Sequence, residues 1–328
     1  MSLFDRRKQT AQAAAPEGDE AIVVSKLRKT FGDFVAVDSI DLTVKRGEIF
    51  GFLGPNGSGK TTTIRMLCGV IEPTGGTATV MGYDICKDPE RVRCNIGYMS
   101  QKFSLFQDLT VEENLRFYSG VYGLTAEKFA ERRSYILKMA GLEGREGELT
   151  KNLSVGWKQR LALGCATIHE PKLIFLDEPT SGVDPNARRQ FWELLYDLAN
   201  DGVTLFVTTH YMDEATHCNR LAFIYRGDII AAGTPQEIKA GLEKDTILRL
   251  DVEDGEGALA ALQGRPAVTE AYMQGAMLQV NIGHLSASEA DLPAVLGSAG
   301  FLVRGVERVE PTLEDAFVHL VTGQGGRA

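Results

Sequence analysis

One glycine-rich segment of eight residues constrains this chain more than any other part of its sequence. The apolar run of residues 48–53 before it is typical of a buried strand, and residues 61–67 after it are typical of the start of a helix. Strand, loop and helix therefore follow in the order that a nucleoside triphosphate site requires. The segment matches G-x-x-x-x-G-K-[ST] in full, with Gly54, Pro55, Asn56, Gly57, Ser58, Gly59, Lys60 and Thr61.

The chemistry of this loop predicts that it binds the phosphates of ATP. Glycines let backbone N–H groups surround phosphate oxygens, and the following helix adds about half a positive charge at its N-terminus. We expect Lys60 to reach the β- and γ-phosphates, the Thr61 hydroxyl to ligate Mg²⁺, and Thr62 to complete the nucleotide site. The alternative, a glycine-rich turn without a ligand, is disfavoured by the length and context of the match.

A second apolar run ends in two acidic residues. Residues 173–176 lead directly into Asp177 and Glu178, as in a buried parallel strand whose carboxyl end carries function. We predict that Asp177 faces the magnesium ion and that Glu178 is the general base for the water that attacks the γ-phosphate. A core strand that merely meets solvent has the same pattern, but the phosphate loop in the same chain favours the catalytic interpretation.

Four segments, in this order and at this spacing, resemble the ATP-binding subunit of an ABC transporter. The resemblance covers about residues 21–240 and is closest to the drug-exporter type that serves ABC-2 permeases. It implies an α/β fold of the P-loop NTPase class, with a RecA-like core, an antiparallel β subdomain and an inserted helical subdomain. The segments are residues 55–62 (PNGSGKTT), 153–160 (LSVGWKQR), 175–185 (FLDEPTSGVDP) and 208–210 (TTH).

The resemblance implies roles for four further residues. Gln101 lies where the family's glutamine touches Mg²⁺ and the attacking water, and His210 lies where its switch histidine bonds the γ-phosphate. Phe31 matches the aromatic residue that stacks on adenine. Asp184 matches the loop that crosses the interface between two nucleotide-binding domains. Three of them have a structural alternative: Gln101 as a polar cap, His210 as a structural histidine at a strand end, and Asp184 as an N-cap ahead of Pro185.

The signature segment departs from the family pattern at two positions. Where the family has Leu-Ser-Gly-Gly-Gln at the start of a helix, residues 153–157 read LSVGW. Ser154 could still act as an N-cap, and Gly156 still permits close backbone approach to a γ-phosphate held by the opposite subunit. Val155 replaces a glycine, and a β-branched residue resists positive φ. Trp157 replaces the glutamine, so the resemblance implies signature function with its geometry and turnover rate left open.

Length and composition bound the function classes. At 328 residues, the chain exceeds the ~250–300 residues at which one core stops growing, so a second domain is expected. A net charge of −9 argues against coating nucleic acid, and we predict no nucleic-acid partner. The five cysteines form no C-x-x-C pair, which indicates neither a zinc site nor a disulfide framework. No apolar stretch approaches the ~20 residues of a membrane helix.

The domain organisation follows from local patterns. Residues 1–20 are expected to form a flexible tail without a secretory signal, and residues 21–240 the ATP-binding domain. An antiparallel sheet is predicted within residues 21–53 and 75–85, and a hairpin around Gly227.

A helical subdomain is predicted at about residues 102–153, with helices capped by Thr110 and Thr125. Its aromatic-rich segment, residues 103–109, either docks a permease helix, as in the family, or belongs to the core. Residues 245–328 show strand-helix-strand twice, which predicts a small α+β ferredoxin-like domain with a dimerisation or regulatory role.

We therefore expect an Mg²⁺-dependent ATPase subunit of an exporter of a drug, lipid or other amphipathic solute. The resemblance implies that two copies sandwich two ATP molecules, with a separate ABC-2 type permease driven through the segment after Gln101. The chain would then lie peripherally at the cytoplasmic face of the inner or plasma membrane, without contact to the cargo. Two alternatives stay open: a soluble ABC ATPase acting on ribosomes, DNA or envelope machinery, and a nucleotide-gated scaffold that barely hydrolyses ATP.

Overall fold

The protein is described by a computed structural model that covers residues 18–101, 104–242, 245–265, 267–283 and 291–324. The chain divides into two compact units between Thr234 and Pro235. Most of the predicted N-terminal tail, Phe103 of the aromatic segment, and His284, predicted as a surface or packing residue, lie outside the described residues.

The first unit combines two sheets with a set of helices. Its strands are β1 (Glu20–Phe31), β2 (Phe34–Lys45), β3 (Ile49–Leu53), β4 (Gly75–Val80), β5 (Tyr83–Asp84), β6 (Ile96–Met99), β7 (Leu173–Asp177), β8 (Thr204–Thr209), β9 (Arg220–Tyr225) and β10 (Asp228–Gly233). Its helices are α1 (Lys60–Leu67), α2 (Pro89–Asn95), α3 (Val111–Val121), α4 (Ala126–Ala140), α5 (Val155–Thr167) and α6 (Pro185–Asn200), with short 3₁₀ turns at Thr150–Asn152 and Met212–His217.

The larger sheet of this unit positions the site. Its strand order is β10-β9-β3-β8-β7-β6, and the neighbours from β9 to β6 run parallel. Strands β3, β7 and β8 are buried along their whole length, and the rings of Phe50, Phe52 and Phe175 each pack within 5.6 Å of Phe206. Apolar side chains on both faces explain why these strands read as continuous hydrophobic runs. Their carboxyl ends share one edge of the sheet.

The second sheet of the unit is antiparallel, with the order β2-β1-β4-β5, and shares a hydrophobic core with α1. The sequence prediction of an antiparallel sheet holds for β1, β2, β4 and β5, but its range was too wide. Residues 49–53 lie in the parallel sheet because all five are buried and pair with β8 and β9. The hairpin predicted around Gly227 is formed by β9 and β10.

Helices α3, α4 and α5 pack around one apolar cluster. As predicted, Thr110 and Glu113 form a capping box at the start of α3, and Thr125 caps α4. Helix α4 ends at Gly141, whose φ of 66° is left-handed and suits glycine. The cluster includes Leu161 and Cys165 of α5, so the helical core extends beyond the predicted limit at residue 153.

The second unit has the order strand, helix, strand, strand, helix, strand. These elements are β11 (Ile247–Val252), α8 (Gly255–Leu262), β12 (Glu270–Gln274), β13 (Met277–Asn281), α9 (Asp291–Ser298) and β14 (Val303–Val309), and they follow helix α7 (Pro235–Ala240). Their sheet is antiparallel, with the order β12-β13-β11-β14. This connectivity is the predicted ferredoxin-like arrangement.

A last helix, α10 (Leu313–Gln324), was not predicted. Its first turn is held by the Asp315 carboxylate, which accepts hydrogen bonds from Thr312, Tyr272 and Gln279. Its Ala316 lies in a small cluster with Leu242 and Ile247. Predicted like His284 as a surface or packing residue, His319 lies 3.2 Å from Glu270. In the part of the chain that the structure describes, no helix is long and apolar enough to cross a membrane.

We predict that Gly164→Ala destabilises the packing of α4 against α5. A Cβ atom at Gly164 would lie 2.3 Å from the Cγ2 atom of the fully buried Ile136. The expected cost is about 1–3 kcal/mol, which thermal unfolding followed by circular dichroism measures as a lower melting temperature. Gly120→Ala in α3 is the matched control, because a Cβ there meets nothing within 4 Å. Equal melting temperatures for the two variants would contradict this packing.

Candidate active site

The loop between β3 and α1 has a backbone path that requires glycine at two positions. A Cβ at Gly54 would lie 2.1 Å from the carbonyl oxygen of Ile224, and one at Gly59 would lie 2.6 Å from that of Ala36. Gly59 also has a φ of 113°. Gly57 is different: a Cβ would meet nothing within 4 Å, but its φ of 79° favours glycine. The loop is therefore held close to its neighbours, and the backbone N–H of Gly54 donates to the carbonyl oxygen of Thr209 at 3.3 Å.

Lys60, the first residue of α1, is buried at the base of this loop. Its Nζ atom donates to the carbonyl oxygens of Gly54 at 2.8 Å and Pro55 at 3.1 Å. The same atom lies 3.1 Å from Oε1 of Glu178, and the two side chains are only 3% and 8% exposed. The ammonium group thus has three oxygen neighbours and one buried counter-ion.

Glu178 is the point at which the predicted catalytic residues meet. Its Oε2 atom accepts a hydrogen bond from Nε2 of Gln101 at 3.1 Å and lies 3.3 Å from Nδ1 of His210. Its backbone N–H donates to the hydroxyl and the carbonyl oxygen of Thr208, at 3.0 and 3.1 Å. Glu178 has a φ of 49°, an uncommon conformation for a residue with a side chain. The neighbouring strands β7 and β8 hold it there.

Asp177, the last residue of β7, lies beside Thr61. Its Oδ1 atom accepts hydrogen bonds from the hydroxyls of Thr208 at 2.8 Å and Thr61 at 3.3 Å. Burial raises the pKa of Asp177, the two hydroxyls oppose that shift, and the charge of Glu178 adds to it. A cation at this position would offset the cost of burying the carboxylate.

The oxygen ligands at this place fit Mg²⁺ in the presence of ATP. Within the described ranges, no group of three or more His, Cys, Asp or Glu side chains could hold a metal alone. The Thr61 hydroxyl and the Asp177 carboxylate are the hard oxygen ligands that Mg²⁺ prefers, and the ion usually takes its others from phosphates and water. The buried Ser58 hydroxyl has no protein hydrogen-bond partner, so it could serve a phosphate.

The predicted adenine-stacking residue lies at the turn between β1 and β2. Phe31 is 53% exposed, and the ammonium group of Lys29 lies 5.2 Å from its ring centroid. One aromatic face is thus available at the surface. The structure does not show it in contact with the residues around Glu178.

The signature segment forms the start of α5. Ser154 occupies the N-cap position, but its hydroxyl makes no capping hydrogen bond. Val155 begins the helix, is 46% exposed and does not have a positive φ, so the helix start accepts this β-branched residue without backbone strain. A Cβ at Gly156 would lie 3.1 Å from Cβ of Ala187. Trp157 packs against the guanidinium groups of Arg145 and Arg160, at 4.4 and 5.6 Å.

Asp184 caps α6. Its Oδ1 atom accepts from the backbone N–H groups of Asn186 at 3.1 Å and Ala187 at 3.0 Å, and Pro185 follows at the first helical position. Among the described hydrogen bonds, none joins the side chain of Ser154 or Asp184 to Glu178. These predicted nucleotide contacts therefore form a second group, apart from the one around Glu178.

Sequence reasoning missed several residues that organise the site. Thr208 joins Asp177 to the backbone of Glu178, and a polar residue near the end of a buried strand could have indicated this. Buried Gln159 donates to the carbonyl oxygen of Pro179, and buried Glu214 accepts from the hydroxyl of Thr180. Neither Gln159 nor Glu214 stands at a strand end, so no local pattern indicates a role for them.

Comparison with known proteins identifies the family. The model described as "ABC transporter" matches residues 37–181, which include the loop, the signature segment and the strand that ends at Asp177. The linearmycin resistance ATP-binding protein LnrL of Bacillus subtilis is 34% identical over 90% of this chain and 96% of its own length. The chain belongs to the ABC transporter ATP-binding family. This is a family of ATP-hydrolysing subunits, and it matches the drug-exporter resemblance seen in the sequence.

Other relatives of this ABC ATPase differ in how much of their length they share with it. The probable multidrug ABC transporter ATP-binding protein YbhF of Escherichia coli is 51% identical over 70% of this chain, but the match spans only 39% of YbhF. The daunorubicin/doxorubicin resistance ATP-binding protein DrrA of Streptomyces peucetius is 39% identical over 74% of this chain and 73% of its own. A second model, for an AAA domain, matches residues 158–212.

Solved structures support the fold of the first unit. The structure of cbiO1 from Clostridium perfringens, part of the ABC transporter complex cbiONQ, has a TM-score of 0.63 and 28% identity over 68% of this chain and 92% of its own. A dimeric ATP-binding cassette in a post-hydrolysis state, bound to ADP and Pi, has a TM-score of 0.60 and 27% identity over 65% of this chain and 98% of its own. The α/β P-loop fold predicted from the sequence is confirmed.

We predict that Lys60→Ala abolishes tight ATP binding, because the β- and γ-phosphates lose the one buried cation at the loop. Isothermal titration calorimetry measures the affinity, and Lys60→Met tests the loss of charge with little loss of volume. Lys172→Ala is the control, since it removes the same charge from an exposed position at the opposite end of β7. Unchanged ATP affinity in the folded Lys60 variants would contradict the assignment.

Proposed function

We propose that this chain is the Mg²⁺-dependent ATPase subunit of a membrane exporter, and that it works as a dimer on a separate ABC-2 type permease. The observation that carries the proposal is the convergence of Lys60, Gln101 and His210 on Glu178. These four side chains lie where the ends of parallel strands meet the phosphate loop, the usual position of a ligand site in such sheets.

In this proposal Glu178 has two successive partners, first Lys60 and then the attacking water. Before ATP binds, its carboxylate is the counter-ion of Lys60. When ATP binds, its phosphate oxygens replace Glu178 as the partner of the Lys60 ammonium group. Glu178 is then free to accept a proton from a water that Gln101 orients. His210 donates to the γ-phosphate on the same side. Thr61 and Asp177 would hold Mg²⁺, which supplies positive charge as the terminal phosphoryl group leaves.

Dimerisation accounts for the second group of predicted contacts. Ser154 has a hydroxyl free of any capping bond at a helix N-terminus, which is a favourable place for an anion. No described hydrogen bond links it to the phosphate loop of its own chain, so we infer that it serves the loop of a second copy, with Gly156 and Asp184 at the same interface. The dimeric relative bound to ADP and Pi supports this arrangement. Val155, which is exposed in the single chain, would then lie at the interface between the two copies.

An aromatic pair on the helical subdomain supports the permease contact. Phe106 and Phe117 are each 44% exposed, and their rings lie 4.6 Å apart. Phe106 follows Gln101 by five positions in the sequence, so a helix docked there would lie close along the chain to a catalytic residue. An exposed aromatic pair is typical of a binding surface rather than of a core.

The cargo class rests on relatives alone. LnrL and DrrA are named for resistance to linearmycin and to daunorubicin/doxorubicin, and YbhF for probable multidrug transport. We propose an amphipathic organic cargo that moves through the permease without contact to this chain. The chain would lie peripherally at the cytoplasmic face of the membrane, where ATP is available.

We predict that Glu178→Gln retains ATP but does not turn it over, and that this variant captures the permease. Tagged variant is purified from detergent-solubilised cells with ATP, and the bound proteins are identified by mass spectrometry. Recovery of a stoichiometric polytopic membrane protein is expected, and recovery of ribosomes, nucleic acid or no membrane protein would contradict the proposal. Adding Phe106→Ser and Phe117→Ser should release the partner, whereas Leu302→Ser, which changes a 60% exposed residue of the second unit, should not.

A further inference from the structure

A buried carboxylate, that of Glu214, follows the switch histidine by four residues in the chain. Glu214 is 1% exposed and belongs to the 3₁₀ turn Met212–His217, which begins two residues after His210. Its Oε1 atom accepts a hydrogen bond of 2.5 Å from the hydroxyl of Thr180, which is fully buried. Thr180 follows Glu178 by two residues. One hydrogen bond thus joins the chain segment after the catalytic base to the segment after His210.

The segment that carries Thr180 also accepts a hydrogen bond from the helix that begins at the signature segment. Gln159 of α5 is fully buried, and its Nε2 atom donates to the carbonyl oxygen of Pro179. Helix α5 begins directly after Ser154. The two residues after Glu178 are therefore fixed on one side to the signature helix and on the other to the His210 segment.

A cation accompanies the Glu214 carboxylate. The Nε atom of Arg188, on α6, lies 3.6 Å from Oε1 of Glu214. The guanidinium group also lies 4.2 Å from the ring centroid of Tyr211, and that ring is 4.1 Å from the ring of His210. Arg188 therefore contacts both the Glu214 carboxylate and the Tyr211 ring that packs on His210.

Breaking the hydrogen bond between Thr180 and Glu214 is costly, and this cost couples the two chain segments that it joins. A buried carboxylate is strongly unfavourable unless it keeps its hydrogen bonds and counter-charge. If the segment after Glu178 shifted without the segment after His210, the Glu214 carboxylate would lose its hydroxyl donor in a buried place. The two segments are therefore most stable when they move together.

We propose that the Thr180–Glu214 hydrogen bond is a buried link that keeps the side chains of Glu178 and His210 in the relative positions that hydrolysis needs. Thr180 and Glu214 are then positioning residues, because neither touches a reacting atom. This inference rests on the proposed ATPase function. It adds, within one subunit, a connection through the following residues of each segment to the 3.3 Å contact between Glu178 and His210.

The first test is steady-state ATP hydrolysis by Thr180→Val, Glu214→Gln and the double variant. We expect kcat to fall by about 10- to 100-fold in Thr180→Val, since small misplacement of reacting groups has effects of this size, while the KM for Mg-ATP stays within about threefold. Thr180→Ser should restore most of the rate. The double variant should be no slower than the worse single variant, because both remove the same link.

The matched control is Thr312→Val in the second unit. Thr312 is only half-buried, but it donates a 2.5 Å hydrogen bond to Asp315, which is 4% exposed, so this pair also joins a threonine hydroxyl to a buried carboxylate. Thr312→Val should lower the melting temperature without lowering kcat. Wild-type kcat in Thr180→Val, or equal losses of kcat in Thr180→Val and Thr312→Val, would overturn the proposal.

A second measurement tests the link whether or not the wild-type chain hydrolyses ATP. Hydrogen–deuterium exchange followed by mass spectrometry compares wild type with Thr180→Val at residues 178–184 and 210–217. We expect faster exchange in both segments, although only the first is mutated. Faster exchange confined to residues 178–184 would overturn the link. A wild-type chain without ATP hydrolysis would instead refute the proposed function.

Discussion

The site depends on one buried ion pair, between Lys60 and Glu178. Their charged atoms lie 3.1 Å apart, with little solvent to screen either charge. Leaving one charge of such a pair buried without a counter-charge is costly, so the two side chains separate most readily when another charged group replaces one of them. The γ-phosphate of ATP is a partner of the right charge for Lys60. In the mechanism that we propose, the catalytic base is thus held inactive by the same lysine that binds the substrate.

The parallel sheet explains how this pair forms. Strand β3 leads into the loop that carries Lys60, β7 ends next to Glu178, and β8 lies between them and supplies Thr208. Each strand is buried on both faces, so its end is a rigid support for a polar residue. Strand β6 of the same sheet is followed by Gln101, and β8 is followed directly by His210. Four separate parts of the chain therefore meet at one carboxylate.

The features that could be predicted from the sequence are those encoded within a few residues. The phosphate loop, the Thr110 capping box and the order of strands and helices in the second unit all follow from local patterns. The contacts of Thr208 and Glu214 could not be predicted in this way, because their partners lie 30 and 34 residues away in the chain. The convergence on Glu178 was implied only by the family resemblance. The sequence left the backbone geometry at Val155 open, and the structure places this residue in the first turn of a helix, where no positive φ is needed.

The central claim is that Glu178 competes with ATP for Lys60. The most direct measurement is the affinity of a non-hydrolysable ATP analogue for wild type and for Glu178→Gln, with ADP as the comparison. Our account predicts that the variant binds the ATP analogue more tightly, by about tenfold or more, because the loss of a close buried counter-charge leaves Lys60 free for the γ-phosphate. The affinity for ADP should change much less. Equal affinities of wild type and variant for the ATP analogue would contradict the account.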